Sequence, residues 1–270
     1  MKRPSLERSV LLEVNKVSRL YGPAKGCSDI NLNVHAGEVL GIVGESGSGK
    51  STLLRVLSGL ERPDEGSVRY HRTEDQRPDA APMPIDLYHI SEGRRRALLR
   101  MEWGLVHQNP RDGLRMGVSA GANISERLMA QGQRHYGNLR STAKEWMRHV
   151  ELDPARIDDV PQTFSGGMQQ RLQIARTLVT QPRLVFMDEP TGGLDVSVQA
   201  RLLDLLRTLV RELGLAVVLV THDLAVARLL ADRLIVMRRS QIVESGLTDQ
   251  ILDDPQHEYS QLLVSSVLTP

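Results

Sequence analysis

The run Gly44-Glu45-Ser46-Gly47-Ser48-Gly49-Lys50-Ser51-Thr52 has the residue types and spacing of a phosphate-binding loop. Gly44, Gly47 and Gly49 let the backbone turn tightly and approach phosphates without a Cβ, so that successive N–H groups face negative charge. Lys50 supplies a point charge for β and γ phosphates, Ser51 offers a hydroxyl to Mg²⁺, and Thr52 lies one residue beyond it. The substrate implied is a nucleoside triphosphate with magnesium. Asp188 and Glu189 close a buried apolar run over 184–187, where Asp188 can orient magnesium and Glu189 can hold an attacking water. Ser165-Gly166-Gly167-Met168 opens a second helix with glycines at its positive end, a second place for an anion. His222 follows another apolar run, over 215–220.

These groups need elements to hold them. Residues 38–43 read as a short apolar strand and 52–57 have helical spacing, the context a phosphate loop requires. Runs 11–17 and 30–34 alternate apolar with polar residues, which predicts half-buried antiparallel strands flanking a loop at Tyr21-Gly22-Pro23. A Pro/Gly turn at 63–66 leads into a strand at 67–70, and residues 72–84, polar with three prolines, read as a surface loop. Ser91 can cap a helix carrying Arg94, Arg95, Arg96 and Arg100, a solvated face or a dock for an acidic partner. A strand over 103–107 runs into Gln108. From 118 to 160 the pattern is helical, with Ser141 as a cap and Ala143, Met147 and Val150 as an apolar stripe. The expected architecture is α/β: one domain over 1–270, with a helical lobe inserted at about 117–165.

Composition fits an enzyme with a sizeable core. A net charge of +1 with 25% charged residues gives no field that would recruit nucleic acid or an anionic membrane. No aromatic residues interleave with the arginine run, so nucleic acid is an unlikely partner. The single cysteine, Cys27, excludes an internal disulfide and a multi-cysteine metal site. No apolar run approaches the roughly 20 residues needed to span a bilayer, and Met1-Lys2-Arg3-Pro4 opens no signal peptide, so a cytoplasmic location is expected.

A phosphate loop alone leaves GTPases, kinases and RecA-like motors open. The Ser165-Gly166-Gly167 motif ahead of the acidic strand removes most of them, and the order of motifs resembles the ATP-binding-cassette ATPases over nearly the whole chain. That resemblance implies a RecA-like phosphate-loop core, a small antiparallel β subdomain and an inserted helical lobe. It also implies roles: Tyr21 stacks on adenine, Gln108 senses the γ phosphate and Mg²⁺, Glu189 is the general base, and His222 steadies the γ phosphate. In this family Ser165, Gly166, Gly167 and Met168 of one subunit close on the ATP of another, so a homodimer or heterodimer with two ATPs is expected. Two departures stand out. Many members carry Gln where this chain has Met168, a substitution that resembles the oligopeptide and dipeptide importer branch, and Thr191-Gly192-Gly193-Leu194-Asp195 replaces the usual Ser-Ala-Leu-Asp while keeping Asp195.

Within that branch the stretch His107 to Met116 and the double-glycine loop look like the ATP-binding subunits of the bacterial carbon-phosphorus lyase system, and the tail His257-Glu258-Tyr259-Ser260-Gln261-Leu262-Leu263 resembles the end of peptide-importer ATPases. The first resemblance implies a soluble lyase core as partner. The second implies membrane permease subunits of a peptide or nickel importer.

Overall fold

The structure is a computed structural model that describes residues 9–22, 25–71 and 84–268. The chain divides into two compact units: residues 1–96 with 214–270, and residues 97–213. This second unit is wider than the helical lobe expected from sequence, because it also takes in the acidic strand and the helices on either side of it.

The first unit opens with β1 (Val10–Gly22) and β2 (Lys25–His35), paired antiparallel. Their alternating burial is the expected half-buried pattern, and ladder pairing continues to Gly22 opposite Lys25, so Tyr21 and Gly22 lie in a strand rather than in a loop, while Pro23 lies outside the described residues. β3 (Val39–Val43) is buried at every residue and delivers the chain into the phosphate loop and α1 (Lys50–Leu57). β4 (Glu65–Tyr70) and the short β5 (Ile85–Asp86) complete a four-stranded antiparallel sheet in the order β2-β1-β4-β5. Of the proline-rich stretch 72–84, residues 72–83 lie outside the described residues. α2 (Glu92–Met101) begins where the Arg94 N–H meets the Ser91 hydroxyl, and it exposes Arg94, Arg96 and Arg100. Arg96 pairs with Glu92 and Arg95 lies over the Tyr88 ring, so the basic run is in part satisfied locally.

The second unit contains β6 (Trp103–Val106), the single turn α3 (Pro110–Gly113), α4 (Ala120–Ala130) and α5 (Tyr136–His149). Two short 3-10 turns, Pro154–Asp158 and Pro161–Thr163, then lead into α6 (Gly166–Leu178). β7 (Leu184–Asp188) pairs parallel with β6, and α7 (Val196–Leu213) follows. Between 117 and 165 the described structure is helix and turn with no strand. Ser141 does not cap a helix. The cap is His135, whose Nδ1 accepts the Asn138 N–H at 3.2 Å, so α5 starts earlier and Ser141 falls on its exposed face. The stripe of Ala143, Met147 and Val150 is buried as the spacing requires.

The chain returns to the first unit with β8 (Ala216–Val220), α8 (Leu224–Leu230), β9 (Arg233–Arg238), β10 (Gln241–Leu247), α9 (Thr248–Asp253) and α10 (Glu258–Leu268). β3 lies between β8 and β9, parallel to both, and β10 pairs antiparallel with β9. Such a strand, covered on both faces, reads as a continuous apolar run. Among the described residues no helix is long and apolar enough to cross a membrane.

Candidate functional site

In the first unit the phosphate loop is clamped by its neighbours. The Ser240 N–H donates to the Ser48 carbonyl at 3.0 Å, and the Ser28 N–H donates to the Ser240 carbonyl at 2.7 Å. A Cβ on Gly44 would lie 2.2 Å from the Met237 carbonyl oxygen, and one on Gly49 would lie 1.8 Å from that of Gly26. Both glycines also have positive φ, at 147° and 106°. No side chain caps α1, because its N-cap is Gly49. The positive end of the helix favours an anion. Lys50 is buried, and its ammonium donates to the carbonyls of Gly44 and Glu45 at 2.8 Å each. Glu45, Ser46, Gly47 and Ser51 are exposed along the loop and Thr52 is half-buried.

His222 is exposed between two fixed neighbours. The Thr221 N–H donates to the Ile42 carbonyl at 3.2 Å, which ties the segment to β3. Asp223 caps α8, accepting the Ala225 and Val226 N–H groups, and its own N–H donates to Thr221 Oγ1 at 3.1 Å. Tyr21, half exposed at 51%, is held by a network no sequence pattern announced. Its hydroxyl donates to Glu61, Arg19 Nε donates to the same carboxylate at 2.7 Å, and the guanidinium lies 5.0 Å from the Tyr21 ring centroid. Burial alone would raise the Glu61 pKa, but the hydrogen bonds from Tyr21 and Arg19 outweigh it and hold the carboxyl below its ordinary range.

In the second unit Gln108 Nε2 donates to Glu189 Oε2 at 3.4 Å, which brings the two predicted residues together. Glu189 has φ 41°, and its carbonyl accepts the Gly192 N–H at 2.9 Å. A non-glycine residue at positive φ is uncommon and concentrates at functional sites. Asp188 and Glu189 are half-buried, while Asp195 is exposed just ahead of α7, with its carbonyl accepting the Gln199 N–H at 2.8 Å.

The start of α6 is exposed at Ser165 and Gly166. The Ser165 hydroxyl caps the helix by accepting the Met168 N–H at 3.4 Å. Gly167 is required for packing, since a Cβ there would lie 2.5 Å from Val198 Cγ1. Arg156 organises this end: its guanidinium stacks 4.3 Å from the Phe164 ring, reaches Met168 Sδ at 3.7 Å, and pairs with Asp159 at 2.6 Å. One turn further, Gln173 accepts the His107 N–H at 2.6 Å and donates to its carbonyl at 3.1 Å. The same helix that presents Ser165 and Gly166 therefore fixes the backbone beside Gln108.

Two adjacent acids, a glutamine and a glycine-rich cradle could serve several triphosphate enzymes. The description "ABC transporter" belongs to the family model that matches residues 27–192. The chain belongs to the ABC transporter family. As an ABC cassette it is an ATPase, binding ATP and hydrolysing it. It is 65% identical to the phosphonates utilization ATP-binding protein PhnK of Escherichia coli K12, over 96% of this chain and 98% of that one. The oligopeptide transport ATP-binding protein OppF of Salmonella typhimurium is 35% identical, over 91% of this chain and 70% of its own. Among solved structures, the dimeric post-hydrolysis state of the ATP-binding cassette MJ0796 bound to ADP and Pi superposes with a TM-score of 0.75 at 29% identity, covering 88% of this chain and 99% of that one.

Arg19, Glu61, Arg156 and Gln173 are neighbours of the candidate site residues that the motifs did not reveal. They are ordinary polar residues in sequence, and only their partners mark them. For the first pair the expected effect is specific: Glu61→Ala weakens ATP binding about threefold by freeing the Tyr21 ring. Because the Glu61 pKa is depressed in the folded chain, its contribution is present throughout neutral pH and is lost only as pH falls through the depressed value. Titration of ATP into wild type and variant at neutral and acid pH checks this. Equal affinities at neutral pH would remove Glu61 from the site.

Proposed function

We propose that this ATPase serves bacterial phosphonate breakdown, working with a soluble carbon-phosphorus lyase core in the cytoplasm. The observation that carries this reading is the 65% identity, over nearly the full length of both chains, to a phosphonates utilization ATP-binding protein. ATP binding joins two cassettes, this chain with a second copy or a related one, and hydrolysis lets them part. Such a shift follows only from contacts that ATP makes in the closed state and not in the open one.

Each residue has a place in that cycle. Tyr21 stacks on adenine; Gly44 to Thr52 wrap the phosphates, with Lys50 neutralising the β and γ charge. Ser165, Gly166, Gly167 and Met168 of one cassette, with Asp195, close on the nucleotide of the other. Glu189 takes a proton from the attacking water as its oxygen adds to the γ phosphorus and ADP leaves, while Gln108 and His222 steady the γ phosphate. By chemistry the expected magnesium ligands, Ser51 in the first unit and Gln108 and Asp188 in the second, each offer a hard oxygen of the kind that Mg²⁺ takes from protein beside phosphate oxygens. Bound there, magnesium would neutralise charge building on the phosphates. Residues 117–165 are a helical lobe inserted in one ATPase domain spanning 1–270.

A second reading, the motor of a dipeptide, oligopeptide or nickel importer, is favoured by the OppF similarity. Function on a shared engine is decided by the partner. The test is to purify tagged Glu189→Gln protein from its native cells grown on a phosphonate, without detergent, and identify what comes with it. A soluble multi-subunit lyase core is the expected companion. Membrane permease subunits alone, appearing only once detergent is added, would replace this reading with the importer.

A further inference from the structure

The hydroxyl of Tyr259, near the start of α10, accepts the Glu45 N–H at 3.0 Å across 214 residues of sequence. Glu45 belongs to the phosphate loop. The peptide that carries this N–H also carries the Gly44 carbonyl, which accepts the Lys50 ammonium at 2.8 Å. In a trans peptide the N–H and C=O point in opposite directions within one plane. Holding the N–H on Tyr259 therefore aims the carbonyl at Lys50. Gly44 has φ 147° and no Cβ, so its backbone has little intrinsic preference against swinging that plane away.

Tyr259 is itself firmly placed. It is 6% exposed and belongs to an apolar cluster with Val43, the residue before the loop, and Leu224, which opens α8 beside His222. The Arg238 guanidinium lies 4.8 Å from its ring centroid. Its N–H donates to His257 Nδ1 at 3.0 Å, and the Glu244 carboxylate on β10 accepts the N–H groups of Gln256 at 2.8 Å and His257 at 3.2 Å. Leu263 and Val264, a turn further along α10, pack against the same cluster.

We propose that Tyr259 is a positioning residue of the ATP site: its hydroxyl fixes the Gly44–Glu45 peptide, and that peptide places the Lys50 ammonium for the β and γ phosphates. α10 is then part of the nucleotide site, and anything that lifts its first turn loosens ATP. This deepens the ATP-site reading of the phosphate loop and rests on it.

The experiment uses the full chain with Tyr259→Phe, which removes one oxygen and keeps the ring in its apolar cluster. Kd for magnesium ATP and KM are expected to rise about fivefold, the size of one net hydrogen bond, with kcat at saturating ATP changed less than twofold. Glu244→Ala, which frees the start of α10 without touching the loop, should shift KM in the same direction. Overturning results are a Tyr259→Phe protein with wild-type Kd and KM, or one whose only change is a lower Tm, as a packing role alone would give. Lys50→Ala runs beside them. If wild type binds no ATP, or Lys50→Ala binds it as tightly as wild type, the ATP-site reading fails instead.

Discussion

A Glu189→Gln protein is expected to bind ATP with near wild-type affinity and turn it over at least about a hundredfold more slowly, the usual range for loss of a general base. Gln has nearly the shape of Glu, so the bond with Gln108 at 3.4 Å can be remade, and the turn in which the Glu189 carbonyl accepts the Gly192 N–H uses only backbone. What the amide cannot do is accept the proton of the attacking water. Because ATP persists, the variant should also elute as a dimer in ATP and a monomer without it. Phosphate release and size-exclusion profiles read the two halves separately. Turnover within a factor of a few of wild type would move the base elsewhere, and monomers in saturating ATP would sink the dimer cycle.

Gly49→Ala carries the second large effect. A Cβ there would sit 1.8 Å from a backbone oxygen of β2, which cannot rotate aside, at φ 106°. Both penalties act at the N-cap of α1, so the loop must open, and a cost of roughly 3 kcal/mol or more is expected from the strain and clash together. The internal control is Gly47→Ala: φ is 81° there, but nothing lies within 4 Å of the added Cβ. That variant bears only the left-handed backbone cost of roughly 1–2 kcal/mol. Thermal unfolding and ATP titration should rank wild type, Gly47→Ala and Gly49→Ala in that order. Equal behaviour of the two alanine variants would mean that β2 does not press on the loop.

Much of the site was legible from residue order because its chemistry is local. Nine consecutive residues make the phosphate loop, and an apolar run ending in Asp188-Glu189 announces a strand that delivers two carboxylates, since period and burial are written in neighbouring side chains. Helix starts were less legible. Ser141 is as good a cap as Ser165 by residue type, yet His135 took the role, because a cap depends on where the preceding chain turns rather than on the side chain alone.

The sequence by itself determined the enzyme class and the α/β architecture, and it proposes the reacting groups: Lys50, Gln108, Asp188, Glu189 and His222 stand in or beside motifs whose spacing is set by one loop or one strand end. Only the tertiary structure decided what holds them. Glu61 on Tyr21, Gln173 on His107 and Tyr259 on Glu45 are hydrogen bonds between segments distant along the chain, and Arg156 on the Phe164 ring is a ring contact across two turns of chain. A lone polar residue has no period and no spacing to betray its partner. The partner is chosen when the apolar faces pack, and only then is a buried N–H or carboxylate brought to the one side chain that can satisfy it.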